Sequence, residues 1–135
     1  MPNVLILEDD LTLSDQWQTA LEKEGYAVDC VDNVSAALTL CEQTEYKVII
    51  VDMFLRDGAG NLKKEGGLTF LSLVYKKKLG KKLHFAKTIA VTGATQSEHF
   101  LYDPLESARS TAVDATLRKP FTDAILIQTV RDLIE

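Results

Sequence analysis

Four short strand-like runs in this chain each stop at a polar residue, and stretches of helical periodicity separate them. Val4-Leu5-Ile6-Leu7 leads into Glu8, Asp9 and Asp10, and Val48-Ile49-Ile50-Val51 ends in Asp52. Ile89-Ala90-Val91 ends in Thr92, and Ala115-Thr116-Leu117 is followed by Arg118 and Lys119. Near-continuous apolar strands belong to parallel sheets covered on both faces. In such a sheet all these ends share one edge, the edge at which open α/β sheets bind ligands.

The intervening segments support that reading. Residues 13–24 place Leu13, Trp17, Ala20 and Leu21 on one helical face. Thr12 is the expected N-cap, Asp15 puts a carboxylate in the first turn, and Gly25 is the expected stop. Residues 26–31 alternate like an edge strand. Residues 35–44 form a second helix burying Ala37, Leu38 and Cys41, and residues 46–51 a central strand. A third helix is expected over 68–79 and a fourth strand over 87–92. A short fourth helix over 103–112 and a fifth strand over 114–118 follow. Thr122 caps a last helix that runs to Ile134, burying Ile125, Leu126, Thr129, Val130 and Leu133. Strand and helix alternate five times. Right-handed crossovers then give a doubly wound five-stranded parallel α/β sheet with helices on both faces, and residues 1–135 form a single domain.

Composition narrows the function. With 46% hydrophobic residues the chain has material for a core. A net charge of −5 argues against direct nucleic-acid binding. No run is long enough to span a membrane and no signal peptide opens the chain, so a cytoplasmic location is expected. Cys30 and Cys41 lack metal or redox spacing and read as thiols in a reducing compartment. Lys76, Lys77, Lys78, Lys81, Lys82 and Lys87 form a basic cluster, read as a solvated helix end or as a docking surface for an acidic partner.

The chemistry of the shared edge follows from its residue types. Three consecutive carboxylates repel one another, and a hard divalent cation relieves that repulsion. Alone, the triplet reads first as a solvated acidic turn capping the first helix. Asp52, ending the most apolar strand, is a cap, a metal ligand or a nucleophile able to attack phosphorus. Lys119 supplies a cation, and its bond to Pro120 is a candidate cis peptide. Thr92 offers a hydroxyl to a phosphoryl oxygen.

These segments, in order, resemble the receiver domain of bacterial two-component response regulators over essentially residues 3–134. The resemblance implies a flavodoxin-like sheet with strand order 2-1-3-4-5. It makes Glu8 and Asp9 the acidic pair, Asp52 the phosphoacceptor, Thr92 the switch hydroxyl and Lys119-Pro120 the lysine-proline motif. It implies Mg2+, with Mn2+ as a substitute, held by Glu8 or its water, Asp9, Asp52 and the Met53 carbonyl. It further implies a phosphoryl group taken from the phosphohistidine of a sensor histidine kinase or phosphotransfer protein. The output is a downstream protein contacted through the fourth helix, fifth strand and last helix, with a homodimer left open. Such a domain is no conventional enzyme: it takes a phosphoryl group from a donor and slowly hydrolyses its own acyl phosphate.

The chain also departs from the family. Arg56 stands where a proline is usual, and residues 57–67 carry an insertion, read as a tolerated loop or as a functional arm. The stretch holding His99 is long, and Gly93 and Val113 replace common small residues. Thr116 occupies the aromatic switch position and cannot make the same rotamer swing. A receiver-like scaffold that signals without phosphorylation is the alternative function. An aspartyl phosphatase would want an acid at position 54, where Phe54 stands, and the phosphate loops of nucleotide-binding proteins are missing.

Overall fold

The computed structural model describes residues 3–53, Leu55, Phe70, 86–93 and 113–135. Within them lie strands β1 (Asn3–Leu7), β2 (Ala27–Val31), β3 (Val48–Asp52), β4 (Lys87–Gly93) and β5 (Ala115–Lys119). The described helices are α1 (Leu11–Lys23), α2 (Val34–Gln43) and α3 (Asp123–Ile134). The expected third and fourth helices, the insertion at 57–67, His99 and the lysine cluster other than Lys87 lie outside the described residues.

All five strands pair in parallel in the order β2-β1-β3-β4-β5, the flavodoxin-like topology expected of the sequence. β3 is the central strand and every residue of it is buried. β2, at one edge, is partly exposed. Because side chains alternate along a strand, the sheet builds two separate cores. One face carries Leu5, Leu7, Ile49, Val51 and Ala90 against Val34, Ala37 and Cys41 of α2, with Leu55 and Phe70 in the same cluster. The other carries Val4, Ile6, Val48, Ile50, Ile89 and Val91 against Trp17 and Leu21 of α1 and Leu126 and Val130 of α3.

The helix ends correct several sequence expectations. α1 begins two residues earlier than expected, and its N-cap is Asp10 rather than Thr12. The Asp10 carboxylate accepts hydrogen bonds from the Thr12 and Leu13 N–H groups at 3.0 and 3.1 Å. A carboxylate accepts better there than a hydroxyl and suits the positive helix end. Asp15 consequently leaves the first turn. Gly25 follows the C-cap with φ +95°, a left-handed conformation that a side chain would strain. Asn33 caps α2 and Thr122 caps α3. Leu38 is only half-buried beside its cluster. On α3, Leu126 and Val130 are buried, while Ile125 is 48% exposed rather than buried. One residue turns a helix by about 100°, which carries Ile125 off the inward face that Leu126 and Val130 share. Thr129 and Leu133 are half-buried.

Candidate functional site

Register brings the polar strand ends together. Leu7 is level with Val51, so Glu8 and Asp52 follow at the same height on adjacent strands. By strand alternation Glu8 continues the side of Val4 and Ile6, Asp52 that of Val48 and Ile50, and Lys119 that of Ala115 and Leu117. All three therefore leave the sheet on the face covered by α1 and α3. Asp9 follows at the start of the loop into α1. One carboxylate oxygen each from Glu8, Asp9 and Asp52 lies within 4.8 Å of the others.

Lys119 closes this cluster. Its Nζ donates to Glu8 Oε1 at 2.5 Å and to Asp52 Oδ2 at 3.2 Å, and the Lys119-Pro120 bond is cis. Glu8 is fully buried and Asp52 nearly so, while the Lys119 side chain is 21% exposed. Burial, and then Asp52 beside it, push the Glu8 carboxyl up to about 9 against the opposing pull of Lys119. Burial disfavours the Lys119 charge, but Asp52 and Glu8 outweigh it and raise the ammonium above its ordinary pKa. One ammonium among three carboxylates leaves an excess of negative charge, which a proton on Glu8 or a divalent cation can relieve.

The donor set fits such a cation. Hard divalent ions take carboxylate oxygens, and Glu8 Oε2 is buried with no hydrogen-bond partner among the described residues. Glu8, Asp9 and Asp52 can therefore hold a divalent metal. Met53 directly follows Asp52, with its N–H donating to Val91 O at 2.8 Å. Thr92 is fully buried at the end of β4, but it alternates with Val91 and so leaves the sheet on the α2 side. Thr116 pairs with Ala90 and is half-buried on β5.

One neighbour of the site has no counterpart among the residues expected there from the sequence. Lys119 Nζ lies 5.8 Å from the centre of the Trp17 ring, and Trp17 stacks on Phe121 with centroids 5.3 Å apart. The helical pattern marks Trp17 only as an inward-facing residue. The contact joins α1 to the loop after β5 and has no local sequence signature. Around the site, Leu11 is exposed at the start of α1, and Gln16 donates to Asp123 at 2.8 Å, tying α1 to α3. No described helix is long and apolar enough to cross a membrane.

The sequence matches the response regulator receiver domain family over residues 4–131. Among curated proteins no sequence matches. Among solved structures, the chain resembles chemotaxis protein CheY4 of Vibrio cholerae with TM-score 0.79 and 21% identity, covering 99% of each chain. The receiver domain of Francisella response regulator 1452 aligns with TM-score 0.75 and 22% identity, over 98% of this chain and 96% of that one. A receiver domain of a signal transduction histidine kinase from Syntrophus aciditrophicus aligns with TM-score 0.78 and 21% identity, over 99% and 90%. The order of the strands, the acidic cluster at their ends and the match along nearly the whole sequence lead to one assignment: the chain belongs to the CheY-like response-regulator receiver domains of two-component signalling.

Proposed function

We propose that residues 1–135 act as a single receiver unit that accepts a phosphoryl group on Asp52 from a phosphohistidine. The observation that carries this reading is the Lys119 ammonium held between Glu8 and Asp52 beside a third carboxylate at the sheet edge. In the transfer, an Asp52 carboxylate oxygen forms a bond to phosphorus as the phosphorus–nitrogen bond of the donor imidazole breaks. The ring nitrogen keeps the electron pair. The Asp52 backbone sits in the most buried strand, so the nucleophile is fixed before the donor arrives.

Lys119 lies close enough to Asp52 to pair with the phosphoryl oxygens once they are attached. Glu8, Asp9, Asp52 and the Met53 carbonyl would hold Mg2+, or Mn2+ in its place. When bound, this ion neutralises carboxylate and phosphoryl charge. Thr92 donates its hydroxyl to a phosphoryl oxygen after a local rearrangement of the end of β4. Water attack on phosphorus restores the Asp52 carboxylate slowly.

The donor is a sensor histidine kinase or a histidine phosphotransfer protein. The downstream protein docks on β5, α3 and the helix expected before β5. Thr116 lacks an aromatic ring to bury, so the signal passes to that surface by another route than an aromatic swing. Acetyl phosphate with Mg2+, followed by intact-mass measurement, tests the reading. A single phosphoryl adduct is expected, and Asp52→Asn removes it. An unmodified wild type would instead favour a scaffold that signals without phosphorylation.

A further inference from the structure

We propose that Trp17 is a positioning residue for Lys119, holding the ammonium between Glu8 and Asp52 for phosphoryl transfer; this rests on the phosphoacceptor reading. A lysine side chain has four rotatable bonds and a strongly hydrated head, so two nearby carboxylates alone do not fix its path. Here the ammonium meets three surfaces. Glu8 lies at 2.5 Å and Asp52 at 3.2 Å, and the Trp17 ring centre lies at 5.8 Å. That last distance is inside the range of a cation–π attraction, and tryptophan is the best aromatic partner for it. Trp17 is only 2% exposed, so the attraction acts where water screens it little.

The indole is itself fixed. Trp17 packs with Leu21, Leu126 and Val130 in the core beneath α1 and α3, and the Phe121 ring stacks on it at 23° between planes. Lys119 and Phe121 flank Pro120, so one ring contacts the chain on both sides of that proline. Thr122 follows at once and caps α3 through the Ile125 N–H. Trp17 thus ties the lysine, and the segment that carries it, to α1, the helix that follows the acidic residues. A purely space-filling core residue needs volume alone. The positioning role needs an aromatic face turned toward the ammonium.

That distinction sets the experiment. The wild type, Trp17→Phe and Trp17→Leu are compared for the rate of adduct formation from acetyl phosphate at saturating donor and Mg2+, well below each variant's unfolding transition. In this reaction Asp52 gains the phosphoryl group and acetate leaves with the electron pair of the broken phosphorus–oxygen bond. Trp17→Leu is expected to slow the step about threefold to tenfold, while Trp17→Phe, which keeps a π face, recovers most of the rate. In a Lys119→Met background, Trp17→Leu is expected to bring no further loss.

Trp17 is the chain's single tryptophan, which gives a readout independent of activity. Lys119→Met shifts its emission in the unphosphorylated protein, whereas Lys87→Met leaves it unchanged. An adduct forming equally fast in the wild type and Trp17→Leu overturns the positioning role alone. So does equal slowing by Trp17→Phe and Trp17→Leu, unaltered emission in Lys119→Met, or an undiminished effect of Trp17→Leu without the lysine. A wild type that takes up no phosphoryl group overturns the phosphoacceptor reading and the positioning role with it.

Discussion

The two faces of the sheet use the same five strands for opposite ends. Under α2, the face is apolar along most of its length, from Leu5 and Leu7 through Ile49, Val51 and Ala90 to Phe70. Under α1 and α3, the apolar rows of Val4, Ile6, Val48 and Ile50 continue into Glu8 and Asp52, with Lys119 reaching in from β5. A one-residue change of register separates packing from charge. Both faces bury apolar cores that stabilise the fold. The face under α1 and α3 also ends in a buried cluster with more negative than positive groups, which costs stability until something neutralises it. A family of folds that binds at the ends of its strands needs both, because the rigid apolar face holds the charged one in place.

The largest expected effect probes the apolar face. Leu5→Ala removes fully buried methyl groups between α2 and the sheet and is expected to destabilise the protein by about 2–5 kcal/mol. Urea unfolding measures it. Mg2+ affinity of the remaining folded protein is expected to stay unchanged, and a large loss would break the separation between the faces.

Glu8→Gln acts in the opposite sense. With burial and Asp52 holding the Glu8 carboxyl up near 9, the metal-free folded state keeps a proton that the unfolded chain, at an ordinary glutamate pKa, gives up. The folded state binds more protons between roughly pH 4.5 and 9, so its stability falls as pH rises across that window. The contribution is fully present below the lower bound and lost by the upper one. The amide of the variant has no proton to lose, and the substitution removes that slope. At neutral pH the metal-free variant is expected to be about 1–3 kcal/mol more stable than the wild type. Added Mg2+ should stabilise the wild type more than the variant. Unfolding curves at several pH values, with Mg2+ and with chelator, check both statements. A wild-type profile as flat as that of the variant contradicts them.

Much of this comparison is legible in the sequence. Val4-Leu5-Ile6-Leu7 and Val48-Ile49-Ile50-Val51 are too apolar for anything but covered strands, and the carboxylates after them have to emerge at the strand ends. The cis bond after Lys119 and the reach of its ammonium agree with the lysine-proline pattern. Other features are hidden for physical reasons. Asp10 belongs to a run of acids, and nothing local separates a metal ligand from a helix cap, so the pattern points to Thr12 for a cap that Asp10 supplies. Ile125-Leu126-Ile127 is apolar throughout, and only the packing of α3 on the sheet shows that Ile125 faces outward. Trp17 over Lys119 is a contact between distant segments, and helical periodicity reports burial without naming neighbours.

The smallest effect returns to the α2 face, where one polar contact sits at its margin. The Tyr46 ring is 1% exposed in the core under α2, and its hydroxyl donates to Asp29 Oδ2 on edge strand β2 at 2.7 Å. Burial, and then Asp29, raise the Tyr46 pKa above its ordinary value, so the hydroxyl keeps its proton and remains a donor. Tyr46→Phe keeps the ring and removes the donor. Because Asp29 is exposed, water replaces the lost partner on the carboxylate, and no buried acceptor is left unsatisfied. The expected cost is therefore only about 0.5–1.5 kcal/mol. Hydrogen exchange of the β2 amides should rise more than that of β3, because the lost bond tethers the edge strand and not the centre. Mg2+ affinity and the yield of phosphoryl adduct should match the wild type. Polarity alone would then not distinguish the faces: a hydrogen bond paired at the margin of the α2 core would affect stability locally, while the unbalanced charges under α1 and α3 would respond to an ion.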